Sequence, residues 1–223
     1  HSFPTRRSSD LKNSIKKLNF LRVIDLNFAN CPKVSQETYL NLKSLKIING
    51  QPKLQPNSYY NTDILNKKSF MNGIRQQRYL NTLNLNFSFC KSLTNQGVYW
   101  LGQEFKRTKN LKNLCLDFRN SMKINDEGLS FLSGVLMEMK NLKSLSLLIS
   151  STITITNEGL RYIGGIFKHL NSLKHLSLNL EGCLSVTDEG IITLTEGIQN
   201  IFQIESLNLN VSRCEYITDI GFH

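Results

Sequence analysis

Hydrophobic residues in this chain follow two alternating spacings. In one kind of stretch every second residue is apolar, as at Leu176 and Leu178; in the next kind the apolar residues recur every three or four positions, as at Leu129, Leu132 and Leu136. The first spacing predicts a β-strand with one buried face, and the second predicts one buried face of an α-helix. Each pair of stretches is therefore expected to form one strand followed by one helix.

This pair of patterns repeats every 31 residues. The second leucine of each unit marks the copies, at Leu83, Leu114, Leu145, Leu176 and Leu207. Self-similarity at a fixed period of this size is typical of stacked repeat units. Because every strand returns to the next through a helix, we expect the strands to run parallel in one layer and the helices to form the other. Helices are wider than strands, so the stack should curve with its strands on the inside.

A helix-start signal lies between the two patterns of each unit. The residues at the predicted N-cap are Thr94, Asn125, Thr156, Thr187 and Thr218. Acidic residues follow at Asp126, Glu127, Glu158, Asp188, Glu189 and Asp219. Ser, Thr, Asn and Asp are good N-cap residues, and negative charge in the first turn complements the helix dipole.

The repeated unit resembles a leucine-rich repeat. The residues that carry the resemblance are LKSLSLLISSTITITNEGL, beginning at Leu142, and LKHLSLNLEGCLSVTDEGI, beginning at Leu173. The unit is similar to the long, helix-containing repeats of the ribonuclease-inhibitor and cysteine-containing types. It departs from them by two extra residues before the cysteine and by a period above the usual range of about 20–29 residues. The resemblance implies a right-handed α/β horseshoe, with parallel strands on the concave face and helices on the convex face.

The repeats extend towards the N-terminus with less regularity. Residues 1–11 fit no repeat and resemble a translated sequencing adapter, with a disordered tail as the alternative. Residues 12–223 are expected to form a single leucine-rich-repeat domain, in which 48–79 is irregular and contains a loop followed by a helix over 63–77. An earlier copy places five residues in register, Leu21, Ile24, Leu26, Phe28 and Cys31, and a clipped copy follows with Leu42, Leu45 and Ile47. The last unit stops just after its helix-start signal, so we expect a fragment with a truncated C-terminal repeat.

Four cysteines occupy one position of the repeat, at Cys31, Cys90, Cys183 and Cys214, and Ser121 and Thr152 take it in two other units. Metal ligands must converge on one point, whereas these residues are expected to lie on a ladder. We interpret them as small turn residues that bond to the backbone, with no metal and no cofactor. Buried free thiols favour a reducing, intracellular compartment, cytoplasmic or nuclear.

The strand residues that point away from the core should line the concave face, which is the usual binding surface of the family. The candidate partner-binding residues are Asn84, Asn86, Asn113, Cys115, Asp117, Arg119, Ser144, Ser146, Leu148, His175, Ser177, Asn179, Glu181, Asn208 and Asn210. Thr82, Ser88, Ser150, Ser206 and Ser212 complete this wall. Its amide and hydroxyl groups suit a protein partner, and a plain solvated sheet face is the alternative. A reactive Cys115 would need a cation such as Arg119 nearby, and a passive surface cysteine is the competing interpretation.

The chain of 223 residues is basic, with 27 Lys and Arg against 17 Asp and Glu. Five cations directly follow the first leucine of a unit, at Arg22, Lys43, Lys112, Lys143 and Lys174. They should line the edge where helices end and strands begin. We favour the interpretation that they complement helix dipoles, with binding of a polyanion such as RNA as the alternative.

The sequence predicts a non-enzymatic scaffold that binds a protein partner of unknown identity on its concave face or helix-start loops. The chain has no phosphate-binding loop and no kinase element, and its histidines have no positioned nucleophile. Two alternatives are the substrate-receptor arm of an F-box-type ubiquitin ligase, suggested by the TDEG pattern, and the targeting region of a larger enzyme such as a kinase. Nucleic acid is the less favoured partner, no segment is long and apolar enough to span a membrane, and we expect a monomer.

Overall fold

The computed structural model describes residues 22–27, 29, 46–48, 51–53, 79–106, 108 and 110–222. Several sequence-based expectations fall outside these residues and stay predictions. They concern the tail at 1–11, the helix at 63–77, Cys31 and Lys43. No helix in the described part of the chain combines the length and the apolar character needed to cross a bilayer.

Six strands form one parallel sheet, in the order β1, β4, β5, β6, β7, β8. Their bounds are Val23–Asn27 for β1, Thr82–Asn86 for β4, Asn113–Asp117 for β5, Ser144–Leu148 for β6, His175–Asn179 for β7 and Ser206–Asn210 for β8. From β4 to β8 the register joins residues 31 apart, so that Leu83 pairs with Leu114 and Leu145 pairs with Leu176. In these strands the predicted period and its parallel pairing are confirmed. Ile24 of β1 pairs with Leu83, although the sequence analysis placed the clipped copy between these two units.

Four α-helices connect the strands from β4 onward. They are α1 (Asn95–Phe105), α2 (Asp126–Leu136), α3 (Asn157–Ile166) and α4 (Asp188–Ile198). A 3-10 turn over Phe167–His169 extends α3, and a second one, over Asp219–Phe222, stands where the last helix-start signal occurs. Each α-helix packs against the next, so the helices form one layer over one face of the sheet.

The core lies between the two layers and runs through all the regular repeats. Every second residue of each strand points into this core. The leucines at one such position are buried, namely Leu83, Leu114, Leu145 and Leu176. Leu207, at the same repeat position, is 49% exposed. It belongs to β8, which forms one edge of the sheet, so β7 lies on one side of it and no described strand lies on the other. The repeat pattern predicts that Leu207 lies in the core, but it is partly exposed because it belongs to the edge strand.

The clipped copy around Ile47 does not add a strand to the parallel sheet. Strands β2 (Lys46–Ile48) and β3 (Gln51–Lys53) pair antiparallel in a sheet of their own, and β1 pairs directly with β4. The sequence-based prediction of a repeat strand followed by a loop is therefore wrong here. The overlooked signal is Asn49-Gly50, because an Asn-Gly pair between two extended stretches favours a two-residue hairpin.

The repeated Cys, Ser or Thr position ties neighbouring turns together. The hydroxyl of Ser121 donates to the carbonyl of Phe87 at 2.8 Å, and the thiol of Cys214 donates to that of Leu180 at 3.1 Å, each in the preceding repeat. Cys183 makes the same contact with Ile149 at 3.5 Å. The residue before each of these has a positive φ, for example 56° at Asn120 and 66° at Gly182. The interpretation of these residues as backbone-bonding turn residues is confirmed.

A second ladder joins the helix starts. The carboxylate of Asp126 accepts hydrogen bonds from the backbone nitrogen and the hydroxyl of Thr156, at 2.9 and 2.7 Å, and Asp188 binds Thr218 in the same way. Each of these acids therefore caps the N-cap residue of the following repeat, in addition to facing its own helix dipole. The glycine three residues after the N-cap makes room for this contact, since a Cβ at Gly159 would lie 2.4 Å from the carboxylate of Asp126.

Asparagine takes the acid's place at Asn95 and Asn157, and at Asn157 it changes the cap. The amide of Asn157 donates to the hydroxyl of Thr187 at 2.8 Å, and Thr187 makes no side-chain hydrogen bond to its own helix. By contrast, Thr156 accepts a hydrogen bond from the backbone nitrogen of Glu158. Thr187 thus lies at the predicted N-cap, but its hydroxyl is bound to the preceding repeat.

Candidate functional site

The open side of the parallel sheet, which we call the strand face, is built from the strand residues that point away from the core. The register aligns them in rows across the strands. The middle row consists of Asp25, Asn84, Cys115, Ser146, Ser177 and Asn208. All the candidate residues at strand positions therefore lie where the alternation predicts, and their role in partner binding stays a prediction. Asp25 belongs to the same row but was not among the candidates.

The final residues of the strands form the last row of the strand face. Three asparagines in this row also form hydrogen bonds with the backbone. The side-chain oxygens of Asn86, Asn179 and Asn210 each accept a hydrogen bond from the backbone nitrogen two residues ahead, at 2.9, 2.9 and 3.0 Å. Such local bonds form the turn that ends each strand. These amides have a structural role that the sequence analysis did not foresee.

Asp117 stands in the same row and is the most buried of the candidates, with 4% of its surface exposed. Its two carboxylate oxygens accept hydrogen bonds from Nε and a terminal nitrogen of Arg119, at 2.9 and 2.7 Å. A further bond comes from the backbone nitrogen of Arg119. The expectation that Asp117 is open to a partner is therefore corrected, because Arg119 and the turn enclose its carboxylate.

Cys115 occupies the centre of the strand face and has the environment of an unreactive thiol. Burial raises the pKa of the Cys115 thiol, and the carboxylates of Asp117 and Asp25 raise it further. The hydrogen bond with Ser146 and the charge of Arg119 act in the opposite direction but are smaller than the burial effect. Arg119 is held by Asp117, so it does not supply the free cation that a reactive thiolate needs. The passive interpretation of Cys115 is favoured.

The edge where strands begin carries the predicted column of cations. The backbone nitrogen of Lys143 donates to the carbonyl of Lys112, and that of Lys174 donates to the carbonyl of Lys143, at 2.6 and 2.8 Å. Asn81 fills the step between Arg22 and Lys112. The column is therefore continuous across the sheet. Glu205 follows Lys174 in it and forms an ion pair with that lysine.

A shallow groove of about 440 Å³ follows this column. We call it the basic groove, and it is lined by Arg22, Tyr79, Asn81, Asn110, Lys112, Asn141, Lys143 and Ser172. Lys174 does not line it. The groove borders the strand face directly, because Lys112 and Lys143 immediately precede the first residues of β5 and β6.

The helix bounds do not favour the interpretation of this column as a complement to helix dipoles. None of the helices α1 to α4 carries a basic residue in its last turn. The lysines of the column follow the helix ends in the chain, Lys143 coming after a helix that ends at Leu136. The dipole effect is strongest in the first and last turns, and these cations belong to neither. The sequence analysis placed the column correctly, and its dipole interpretation stays a prediction.

An exposed apolar column lies at the opposite end of the strands, in the turns that lead to the helices. It consists of Met122, Ile153 and Leu184, which are 50%, 62% and 39% exposed. The turns are stacked, since the hydroxyl of Ser185 donates to the carbonyl of Ile153 at 2.8 Å. The sequence analysis missed this column, although its members share one position in the 31-residue repeat. Within the described part of the chain, no group of three or more His, Cys, Asp or Glu side chains is placed to hold a metal ion.

The sequence matches no protein-family model and no curated protein. Solved structures do match. A structure of leiomodin-1 actin-binding site 2 is 13% identical, with a TM-score of 0.53 over 85% of this chain and 88% of that one. The tropomodulin C-terminal domain from Caenorhabditis elegans is 9% identical, with a TM-score of 0.52 over 86% and 92%. A leucine-rich-repeat protein of Leptospira interrogans is 17% identical and covers 93% of this chain and 58% of its own, but its TM-score of 0.28 carries no argument.

These similarities concern the fold. The first two structures have leucine-rich-repeat folds, and this chain has the same arrangement of parallel strands alternating with helices. The resemblance inferred from the repeated leucines is confirmed at the level of the fold.

Proposed function

We propose that this chain is a non-enzymatic scaffold that binds a partner protein along its strand face. The observation that carries the proposal is the row structure of that face. Five aligned strands, β4 to β8, present amide and hydroxyl side chains at fixed spacing, about 4.8 Å from strand to strand. Such groups donate and accept hydrogen bonds without the desolvation that a buried charge requires. A rigid sheet also loses little entropy when it binds.

The distribution of charge on the strand face supports binding over catalysis. Arg119 and Asp117 neutralise each other, and Arg213 lies 3.4 Å from Glu181. The thiol of Cys115 stays protonated because burial raises its pKa. These groups are thus suited to complementarity with another surface, and they do not form a nucleophile with an adjacent base.

The similar structures add support at the level of architecture. One of them is described as an actin-binding site, so a leucine-rich-repeat fold of this shape binds a protein in at least that case. The apolar column of Met122, Ile153 and Leu184 would supply hydrophobic contact at the helix-start side of the same surface.

The proposal also covers the ubiquitin-ligase and kinase alternatives, because in each of them the repeat domain would be the protein-binding arm. The buried thiols Cys90, Cys183 and Cys214 support action in a reducing compartment.

The proposal is tested by blocking the middle row. In the double variant Ser146→Arg/Ser177→Arg, two large cations stand at the centre of the strand face. The control is Gln96→Arg/Gln199→Arg, which adds the same charge at exposed positions of the helix layer. Both proteins and the wild type are used to capture partners from extract, and captured proteins are quantified by mass spectrometry.

We expect the proteins captured by the wild type to be retained by the control and reduced about tenfold by the strand-face variant, which is the scale of losing one or two central contacts. Equal urea midpoints for the three proteins show that the fold is intact. If the strand-face variant captures the same proteins in the same amounts as the control, the strand face is not the binding surface.

A further inference from the structure

The basic groove is built from hydrogen-bond donors. Every side chain that lines it carries an N–H or O–H group, from the guanidinium of Arg22 and the ammonium groups of Lys112 and Lys143 to the hydroxyls of Tyr79 and Ser172. The remaining lining residues are asparagines, which also donate. No carboxylate is among the described lining residues. A groove of this composition fits a ligand that is rich in acceptors and negatively charged.

The cations of the groove form no ion pairs in the part of the chain that the structure describes. This holds for Arg22, Lys112 and Lys143. Lys174, the next residue of the same column, does form one, with Glu205. The cations that line the groove are thus without ion pairs among the described residues, whereas Lys174, which lies beyond the groove, is neutralised by Glu205. The hydrogen bond from Lys174 is the main cause that lowers the pKa of Glu205, and the charge of Lys143 contributes to it. No carboxylate within the described ranges, however, forms an ion pair with any of the three groove cations.

We propose that the basic groove binds an acidic segment of the protein that occupies the strand face. This inference rests on the proposed function, and it specifies a property of the partner, namely a cluster of Asp or Glu beside its main contact surface. From Arg22 to Lys143 the column crosses three strand spacings, about 14 Å in all. About four residues of extended peptide span that distance. Glu205 limits the site at one end, because it would repel an acidic segment that extended further.

Two observations favour a peptide over a nucleic acid. The groove is continuous with the strand face, since Lys112 and Lys143 precede the first strand residues Asn113 and Ser144, so one partner can contact both. Surfaces that bind single-stranded nucleic acid combine cations with several aromatic rings on which bases stack. Tyr79 is the one aromatic residue among the described residues of the groove.

The experiment measures binding of defined probes to the full chain by fluorescence anisotropy. The probes are a labelled oligo-aspartate peptide, an oligo-serine peptide of equal length and an oligouridylate. The groove variant is Lys112→Gln/Lys143→Gln. The matched control, Lys91→Gln/Lys123→Gln, removes the same two charges from exposed positions in the turns at the opposite end of the strands. All four lysines are exposed, and unfolding midpoints in urea confirm that the variants are folded.

We expect the wild type to bind oligo-aspartate but not oligo-serine, with an affinity that falls as salt is raised. The groove variant should bind oligo-aspartate about tenfold more weakly, the control should change by less than about twofold, and Lys112→Arg/Lys143→Arg should retain binding. Equal losses in the groove variant and the control would mean diffuse attraction by net charge and would overturn the proposal. So would an absence of oligo-aspartate binding at low salt, or a loss confined to oligouridylate.

The same assay separates this inference from the proposed function. The Ser146→Arg/Ser177→Arg variant leaves the groove intact, so it should bind oligo-aspartate at least as well as the wild type. If partner capture proves independent of the strand face while oligo-aspartate still depends on Lys112 and Lys143, the groove binds acidic segments and the strand-face proposal fails. If capture depends on the strand face and oligo-aspartate does not bind, the groove proposal alone fails.

Discussion

The middle of the sheet and its β8 edge have the same sequence pattern but different environments. In β6 and β7, Leu145 and Leu176 are buried between neighbouring strands. In β8, Leu207 occupies the same repeat position and is 49% exposed. The repeat therefore sets which way a side chain points, and the neighbouring repeat determines how much of it is buried. In a stacked architecture stability is a property of contacts between units, more than of each unit.

The largest effect should come from removing a core leucine between two neighbours. Leu145→Ala should lower the free energy of unfolding by about 2–5 kcal/mol, because it leaves a cavity in a packed layer. Leu207→Ala should lower it by about 1 kcal/mol or less, since much of that side chain is already in water. Urea unfolding of both variants measures the difference. Equal losses would show that burial by the neighbouring repeat does not determine how much this leucine contributes to the free energy of unfolding.

The second effect concerns how closely the helices pack. A Cβ at Gly197 would lie 2.4 Å from the carbonyl oxygen of Gly164 in α3, whereas a Cβ at Gly134 would meet nothing within 4 Å. Gly197→Ala should therefore cost about 1–3 kcal/mol, because backbone of the preceding helix must move. Gly134→Ala should stabilise the protein by about 0.5–1 kcal/mol through helix propensity. Thermal unfolding of the two variants should shift in opposite directions, and shifts in the same direction would contradict this packing.

The third effect tests the ladder of helix starts. Asp126→Ala removes the carboxylate that binds Thr156 and should cost about 0.5–2 kcal/mol, as the loss of a helix cap does. The matched variant is Asp219→Ala. Asp219 holds the equivalent repeat position next to the chain end and is exposed, so the expected change is within about 0.5 kcal/mol. Hydrogen exchange at the start of α3 should rise only in Asp126→Ala.

The smallest effect belongs to a contact inside one helix, which needs no neighbouring repeat. Hydrogen bonds from Arg161 and Tyr162 lower the pKa of Glu158 to about 2. A carboxyl with a lowered pKa in the folded state stabilises the fold above its unfolded pKa of about 4.3, and this stabilisation is lost as the pH falls through about 2. The stability difference between wild type and Glu158→Gln should thus be present at pH 7 and disappear near pH 2. A difference that persists at pH 2 would rule out titration of Glu158 as its origin.

Most of the fold could be read from the sequence because it depends on periodicity. The 31-residue spacing predicts the strand register from Leu83 to Leu207, and the alternation predicts which residues face the core. The hairpin of β2 and β3 was missed because one short copy of the leucine pattern outweighed the local turn signal of Asn49-Gly50. Turn chemistry acts over two residues, and a search for long repeats gives it little weight.

The sequence predicts where the candidate side chains lie. It does not predict whether their polar atoms are free to bind a partner. Alternation alone places Asn86, Asp117 and Asn179 on the strand face. It does not show that their oxygens accept bonds from their own turns, because that depends on the φ and ψ angles after each strand. The same limit applies to the cations at the strand starts. The spacing of these cations was evident from the sequence. How many residues separate them from the helix ends can be counted only when the helix bounds are known.

The ladder of helix starts has a consequence for how such a chain can change in length. Three kinds of coupling join neighbouring regular repeats, each with its own fixed offset: 31 residues in the sheet, 34 from Cys214 to Leu180 and 30 from Asp126 to Thr156. Inserting one residue within a unit would break at least one of them while leaving the others in place. Duplicating or deleting a whole unit preserves all three offsets, because the regular units have equal length. Genes for such chains should therefore grow and shrink in whole repeats, and the regular copies in this sequence show no insertion or deletion.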